Sequence, residues 1–260
     1  MDNKSTGYLA TTNGDGSLIF VDDIKDQKDN PANCASDSYN NRFKNSHIIK
    51  TEWSKDFKIM LDKFVKEIPS HGTVIDVGCG AGFEVSYFSS LGFNTYGIDV
   101  SEEIIKMASE NHKGLNFICG NLHDLPIPPG LKIHGIYEHL ALMNSYKTAI
   151  EEFLIKAFKL LEPNGVIQVS FEKDEAGFNG TGWYLVPFGN LPKDKDNQIF
   201  SLCNKMYLSY FTEDELRQLF KASGFKIIDF RCYKEPTITR EVITVLAKKK
   251  KTIFSKLKFF

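Results

Sequence analysis

The chain has 260 residues, of which 42% are hydrophobic and 25% are charged, and its 32 basic and 33 acidic side chains leave a net charge of -1. This composition is typical of a globular chain that buries a sizeable core, and the balanced charge argues against a dedicated nucleic-acid-binding protein. The five cysteines include no C-x-x-C pair, so they predict neither a disulfide framework nor a zinc site. We therefore expect a reducing compartment and no bound metal.

The beginning of the chain predicts an appendage to a larger domain. It lacks the basic start and apolar run of a signal peptide, and nowhere do eighteen apolar residues follow one another, so we expect a cytoplasmic protein that does not span a membrane. Residues 1–45 are rich in Asp, Asn, Ser, Thr and Gly, and the run Asn13-Gly14-Asp15-Gly16 favours a hairpin. We interpret residues 1–45 as partly disordered or hairpin, ahead of a domain over residues 46–247.

The domain itself begins with helical periodicity and continues as alternating strands and helices. Apolar residues recur every three or four positions over residues 46–68, which predicts an amphipathic helix. Short apolar runs then predict strands over 73–77, 95–98, 115–119, 133–137 and 165–171, with helices over 83–91, 101–111 and 148–161 between them. This alternation predicts an α/β fold in three layers, with a doubly wound, mostly parallel sheet covered by helices on both faces.

The last third of the chain departs from this alternation. About forty residues, 172–211, form an insertion whose aromatic residues Trp183, Tyr184 and Phe188 either wall an acceptor pocket or tie the segment to the sheet. A capping box beginning at Thr212 predicts a helix, Gly224 ends it, and strands follow near 226–232 and 241–247. Residues 248–260 contain six lysines and form a basic tail, which is either a solvated terminus or a contact with an anionic membrane or RNA.

A glycine-rich turn between the first strand and its helix carries the strongest functional signal. The turn follows Asp76 and reads G-x-G-x-G, from Gly78 through Gly80 to Gly82. The fingerprint of dinucleotide-binding proteins has its third glycine one position later, so this turn does not favour a bound dinucleotide. Seventeen residues after the turn, Asp99 ends the second strand, where a carboxylate can accept hydrogen bonds from both ribose hydroxyls. The pattern predicts a bound nucleoside with a charged tail.

From about residue 70 to 247 the chain resembles the class I S-adenosylmethionine-dependent methyltransferases, on the strength of this turn, the ribose-binding acid and the loop 120–126, which in that family lies along the adenine. The resemblance implies a seven-stranded sheet with one antiparallel strand. It also implies an enzyme with S-adenosyl-L-methionine as cofactor. The residues expected to bind it are Asp76, Gly78, Gly80, Asp99, Val100, Asn121, Leu122 and Tyr137. For Asp76, packing against the loop and contact with the methionine amino group both remain open.

Three departures from the family pattern limit what can be carried over from the family to this chain. Asn121 replaces the usual Asp, and His134 stands where many relatives have an acid. The fourth strand ends in Tyr137-Glu138-His139-Leu140, without an Asn-Pro-Pro-Tyr type sequence, which weakens an adenine or glutamine amide acceptor. We expect transfer to an O or N atom of a small molecule or peptide, with no DNA partner. A non-catalytic cofactor-binding module and an RNA methyltransferase are the alternatives.

One histidine is a candidate for proton transfer, and a second lies beside the expected cofactor loop. His139, at the carboxyl end of the fourth strand, is the leading candidate for a general base, because sites in such sheets form there and an imidazole ordinarily titrates near neutral pH. The competing interpretation is a partly buried structural histidine. His123, beside the expected adenine loop, is more typical of a solvated turn residue.

Overall fold

The computed structural model describes residues 53–174, 181–187, 203–235 and 241–250. The predicted appendage 1–45 with its hairpin, Phe188 and most of the basic tail lie outside these residues. In the part of the chain that is described, no helix is both long and apolar enough to cross a membrane.

The first described helix, α1 (Lys55–Lys66), confirms the central part of the helix predicted over 46–68. The hydroxyl of Ser54 caps it by accepting a hydrogen bond from the backbone N–H of Phe57. Its buried side chains Phe57, Met60, Leu61 and Phe64 recur at the helical spacing and pack against the sheet.

The remaining elements alternate as the apolar runs predict. In chain order they are β1 (Thr73–Val77), α2 (Phe83–Ser90), β2 (Asn94–Asp99), α3 (Glu102–Asn111), β3 (Asn116–Cys119), β4 (Ile133–Glu138), α4 (Lys147–Leu160), β5 (Leu161–Glu172), β6 (Gly182–Pro187), β7 (Cys203–Leu208), α5 (Glu213–Ala222), β8 (Phe225–Lys234) and β9 (Glu241–Lys249). Single turns of 3-10 helix at 122–124 and 142–144 follow β3 and β4.

Seven of these strands form one sheet in the order β3-β2-β1-β4-β5-β9-β8. The pairs from β3 to β5 are parallel, whereas β9 runs antiparallel to both of its neighbours, β5 and β8. The prediction of a mostly parallel seven-stranded sheet with one antiparallel strand is therefore confirmed. Strand order reverses between β1 and β4, and ligands in open α/β sheets bind in the crevice at such a point.

Helices cover both faces of the sheet, as predicted. On one face, Phe64 of α1 and Phe88 of α2 pack against the ring of Tyr137 in β4, with centroid distances of 5.6 and 5.3 Å. On the other face, apolar side chains of α4 and α5 complete a second core cluster with β4, β5 and β9. The alternation of side chains along β4 thus supplies both clusters.

The C-terminal third matches its predicted helix and strands. Thr212 and Glu215 form the capping box of α5. Within the insertion, β6 and β7 pair as a separate two-stranded sheet that includes Trp183 and Tyr184.

Strand β9 continues to Lys249, past the predicted boundary at 247. The ammonium of Lys248 pairs with Glu67, and that of Lys249 donates to the carbonyl of Leu161, so the first two tail lysines belong to the folded domain.

Candidate functional site

A cleft of about 270 Å³ opens at the carboxyl ends of β1, β2 and β4, where the strand order reverses. All nine residues predicted for the cofactor and for catalysis line this cleft. They are Asp76, Gly78, Gly80, Asp99, Val100, Asn121, Leu122, Tyr137 and His139.

The glycine turn at the end of β1 requires a backbone that other residues adopt with strain. Gly78, Gly80 and Gly82 all have positive φ angles, of 77°, 50° and 82°. A Cβ at Gly78 would lie 2.1 Å from that of Ala141, and one at Gly82 would meet the ring of Phe117. At Gly80, in contrast, a Cβ would meet no atom within 4 Å. The loop therefore packs tightly at its two ends and leaves open space at its centre, on the cleft.

Asp99, at the end of β2, ties this loop to the neighbouring strand. Its Oδ2 accepts a hydrogen bond from the backbone N–H of Gly80 at 3.0 Å, and its Oδ1 accepts one from that of Ser101 at 3.0 Å. Burial nevertheless raises the pKa of the Asp99 carboxyl, against the opposing effect of these N–H donors. Each carboxylate oxygen can accept more than one hydrogen bond, so acceptor capacity remains for a ligand.

Asp76 and Tyr137 bring buried polar atoms without partners to the cleft. The Oδ2 of Asp76 and the hydroxyl of Tyr137 are buried and make no hydrogen bond among the described residues. Burial raises the pKa of Asp76 well above its usual range, and the nearby carboxylates of Glu84, Asp99 and Glu138 raise it further. A cationic ligand beside Asp76 would offset both effects. The unpartnered oxygen of Asp76 is thus a possible acceptor for a hydrogen bond from a cationic ligand in the cleft.

The loop after β3 presents Asn121, Leu122 and His123 to the cleft. The side-chain oxygen of Asn121 accepts a hydrogen bond from the backbone N–H of His123 at 3.0 Å, so the predicted contact with adenine would use its second lone pair. The Nε2 of His123 lies 2.7 Å from the hydroxyl of Ser145, and burial lowers the pKa of this imidazole. His123 is therefore tied to the loop after β4, where the sequence suggested a solvated turn residue.

Glu138 and His139, adjacent at the end of β4, have different surroundings. The Oε1 of Glu138 accepts hydrogen bonds from the N–H groups of Ala141 and Leu142 at 2.6 and 2.9 Å, and its Oε2 accepts one from Ser170 at 3.1 Å. Burial raises the pKa of Glu138 to about 7 despite these donors. Glu138 holds the turn that shapes the cleft and does not line the cleft itself.

His139 faces the cleft, and its Nδ1 is buried without a partner among the described residues. The ring of Phe57, from α1, meets it edge-on with a centroid distance of 4.8 Å. Burial lowers the pKa of His139 to about 4, which corrects the expectation that it titrates near neutral pH. At neutral pH its imidazole is uncharged and able to accept a hydrogen bond.

His134, the other departure from the family pattern, has a structural role. Its Nδ1 accepts a hydrogen bond from the backbone N–H of Thr73 at 3.0 Å, at the opposite ends of β4 and β1 from the cleft. This imidazole thus satisfies the first backbone N–H of β1. Because it lies at the end of the strands opposite to the cleft, His134 is a structural residue and not a candidate for binding or catalysis.

Sequence reasoning missed three polar residues that line the cleft. Glu84, in the first turn of α2, lines it and accepts a hydrogen bond from the indole N–H of Trp53 at 3.1 Å. Asn144 and Ser145, after β4, also line it. The hydroxyl of Ser209, just beyond β7, donates to the carbonyl of Ser145 at 2.7 Å and so links the inserted hairpin to this wall. No local motif marks Asn144, Ser145 or Ser209, whereas Glu84 lies two positions after Gly82, and its place beside the glycine turn is a signal that could have identified it.

The cleft residues fit an adenosyl sulfonium with an amino-acid tail. The open centre of the glycine loop leaves room for a ligand against the backbone. Asp99 supplies the carboxylate for a ribose, and the orphaned Asp76 oxygen supplies an acceptor for an ammonium group. Among the lining residues that the structure describes there is no lysine or arginine, so a pyrophosphate would find no cationic partner.

Comparisons with known proteins agree with this geometry. Residues 75–169 match the family described as Methyltransferase domain. Among curated proteins, a malonyl-[acyl-carrier protein] O-methyltransferase of Pectobacterium atrosepticum is 26% identical over 108 residues, 41% of this chain and 42% of that protein. A ubiquinone biosynthesis O-methyltransferase of Rickettsia canadensis is 24% identical over 43% of this chain and 50% of its own length. The chain thus spans no more than half of these relatives.

Solved structures share the whole fold at low identity. A methyltransferase of Methanosarcina mazei superposes with a TM-score of 0.58 at 18% identity, covering 72% of this chain and 96% of its own. Magnesium protoporphyrin IX methyltransferase of Synechocystis, solved with S-adenosylmethionine bound, gives a TM-score of 0.58 at 14% identity, with coverage of 85% and 98%. At such identities the likeness extends to the fold alone.

Proposed function

Because the chain belongs to the class I S-adenosylmethionine-dependent methyltransferases, we propose that it transfers a methyl group from S-adenosylmethionine to an O or N atom of a small molecule or peptide. The observation that supports this most directly is the convergence of the glycine turn, Asp99 and the orphaned oxygen of Asp76 on one cleft. These groups match the backbone, sugar and ammonium contacts that this donor needs.

The cofactor-binding residues divide by the part of the ligand they would hold. Asp99 accepts hydrogen bonds from the ribose hydroxyls, while Asn121 and the backbone of Leu122 meet the adenine. Asp76 accepts a hydrogen bond from the methionine ammonium, and the open backbone at Gly80 allows close approach. When bound, S-adenosylmethionine supplies an electrophilic methyl carbon, so the protein mainly aligns the acceptor and excludes water.

His139 is the proposed general base. Its buried, unpartnered Nδ1 can accept a hydrogen bond from the O–H or N–H of an acceptor in the cleft. A pKa of about 4 makes it a weak base, but an attacking hydroxyl becomes strongly acidic as its new bond to carbon forms. A weak base that is always unprotonated at neutral pH is then sufficient, and Phe57 keeps the imidazole in place by its edge contact.

The charge of the cleft favours a neutral acceptor. Asp76, Glu84 and Asp99 line it, and none of its lining residues in the described ranges is a lysine or arginine. An anionic acceptor such as a carboxylate or phosphate would be repelled by these side chains, and the sulfonium of the cofactor would be its only cationic neighbour among the groups placed in the cleft. A hydroxyl or an uncharged amine meets no such penalty.

Two measurements test the proposal. Calorimetry should show binding of S-adenosylhomocysteine, the demethylated product, and transfer of labelled methyl should favour phenols and amines over matched carboxylic acids. Failure to bind the product would remove the proposal. Binding combined with transfer to carboxylates alone would contradict the assignment of a neutral acceptor and the role of His139.

A further inference from the structure

Trp53 and Glu84 form a contact that the methyl-transfer reaction, as argued so far, does not use. The indole N–H of Trp53, just before α1, donates to Oε1 of Glu84 at 3.1 Å, across 31 positions of the chain. Glu84 lines the cleft in the first turn of α2, where the positive end of the helix dipole favours a carboxylate. The hydrogen bond fixes one oxygen of a cleft carboxylate from outside the glycine motif.

The indole is itself held in a fixed orientation. Its ring meets Tyr87 edge-on, at a centroid distance of 5.0 Å and an interplanar angle of 84°, and packs against Phe57 at 5.5 Å. Phe57 in turn contacts His139. Because two aromatic neighbours limit rotation of the indole, its N–H points steadily at Glu84.

Glu84 and Asp76 together suit a cationic ligand better than either acid alone. An ammonium group has three N–H donors, whereas Asp76 offers one buried, unpartnered oxygen to the cleft. The charge of Glu84 also raises the pKa of Asp76, so the two carboxylates act on one another across the same space. A cation placed there would satisfy both acids and remove their repulsion.

We propose that Glu84 is a second carboxylate for the ammonium of the methionine part of the cofactor, and that Trp53 is the positioning residue that holds it. This inference rests on the proposed function. Through Trp53, the segment before α1 becomes part of the cofactor site, although this segment lies outside the glycine motif. The adenosine part of the ligand contacts neither residue.

The test compares two ligands that differ only in the amino-acid tail. S-adenosylhomocysteine carries the ammonium, and 5′-methylthioadenosine lacks it. By calorimetry, Glu84→Gln should weaken binding of S-adenosylhomocysteine by about tenfold or more, through loss of a charge-assisted hydrogen bond. Trp53→Phe keeps the ring but loses the donor, and should weaken it by about fivefold. Neither variant should change the affinity for 5′-methylthioadenosine.

Tyr87→Phe is the matched control. It removes an aromatic donor to the carboxylate of Asp62, on the same pair of helices, while keeping the ring that packs against Trp53. This variant should bind both ligands as the wild type does. Equal weakening for both ligands in Trp53→Phe or Glu84→Gln, or unchanged affinity for S-adenosylhomocysteine, would overturn the inference. If the wild-type protein binds neither ligand, the proposed function itself fails.

Discussion

The two halves of the cleft are built in different ways. On the side of β1 to β3, the glycine turn, Asp99 and Asn121 lie within 44 residues of one another. Asp99 accepts hydrogen bonds from the backbone N–H of Gly80 and, at its carbonyl, from that of Gly120. On the side of β4, groups from distant parts of the chain meet: Phe57 of α1 contacts His139, and Ser209, just beyond β7, donates to the carbonyl of Ser145 in the cleft wall. One half is local and the other is assembled by tertiary contacts.

This difference indicates how the two halves divide the work. A loop that must follow a ligand closely needs particular backbone angles, and a few glycines next to a strand provide them. A pocket that binds the methyl acceptor needs a particular shape and a set of polar groups, and separate segments of the chain can supply these in many combinations. We therefore expect substitutions on the β1 side to change cofactor affinity, and substitutions on the β4 side to change turnover.

The largest expected effect is on turnover, and it tests the half of the cleft beside β4. Replacing His139 by Gln removes the proposed base but keeps a polar side chain. With a hydroxyl acceptor, kcat should fall by about 100- to 10,000-fold, because general-base assistance is lost. Radiolabelled methyl transfer measures this, and calorimetry with S-adenosylhomocysteine should show near-wild-type affinity as the control. A drop of less than threefold would show that the acceptor needs no base.

The second prediction concerns Glu138, which supports the turn between β4 and the 3-10 helix at 142–144. Its pKa is raised from 4.5 to about 7 in the folded protein by burial, so between these values the folded protein keeps a proton that the unfolded chain has lost. The contribution of Glu138 to the free energy of unfolding is therefore fully present below pH 4.5. It decreases by about 3 kcal/mol as the pH rises through about 7.

Urea unfolding at pH 4.5 and 7.5 measures this decrease by comparing wild type with Glu138→Gln. The wild type should lose about 3 kcal/mol more than the variant, whose amide does not titrate. Groups that do not interact with Glu138 are present in both proteins and cancel in the difference. The repulsion between Glu138 and Asp76 exists only in the wild type, where it adds to the loss of stability as the pH rises. Parallel pH dependences in the two proteins would contradict the raised pKa of Glu138.

The two halves also differ in how much of them could be predicted from the sequence. The sheet, its helices and the glycine turn were predictable because each depends on periodicity or on a motif of adjacent residues. All nine predicted site residues reach the cleft for the same reason: strand ends in a parallel sheet meet at one edge. The local half of the site was thus available from the sequence.

Contacts between distant segments could not be predicted in either half. On the β1 side, the hydrogen bond between Trp53 and Glu84 joins the segment before α1 to α2, and no spacing rule links these positions. The pKa of His139 depends on how completely Phe57 and its neighbours exclude water, which only the packed structure contains. Alternation along β4 predicts that Glu138 lies on the opposite face of the sheet from its neighbours. It does not predict that three backbone N–H groups donate to its carboxylate.

A third prediction addresses the local half through Asp99. Asp99→Ala should weaken binding of S-adenosylhomocysteine by about 1.5 to 3 kcal/mol, because it removes charge-assisted hydrogen bonds to the ribose. Calorimetry should show that 5′-methylthioadenosine, which keeps the ribose, loses a similar amount. This separates Asp99 from Glu84, whose replacement should affect only the ligand with the amino-acid tail. An unchanged affinity would remove the ribose assignment.

The smallest expected effect comes from two glycines with similar backbone strain. Gly80 and Gly114 both have positive φ angles, of 50° and 87°, and a Cβ at either would meet no atom within 4 Å. Replacing either by Ala should therefore lower the free energy of unfolding by only about 1 kcal/mol, the cost of a left-handed conformation.

Only Gly80 faces the cleft, so Gly80→Ala alone should lower the affinity for S-adenosylhomocysteine, by placing a methyl group where the ligand must approach the backbone. Thermal unfolding and calorimetry of the two variants separate strain from occlusion, because Gly114→Ala carries the strain without the occlusion. Equal ligand affinity in both variants would mean that the centre of the glycine loop is not a ligand contact, and the local half of the cleft would then have to bind the cofactor through its side chains alone.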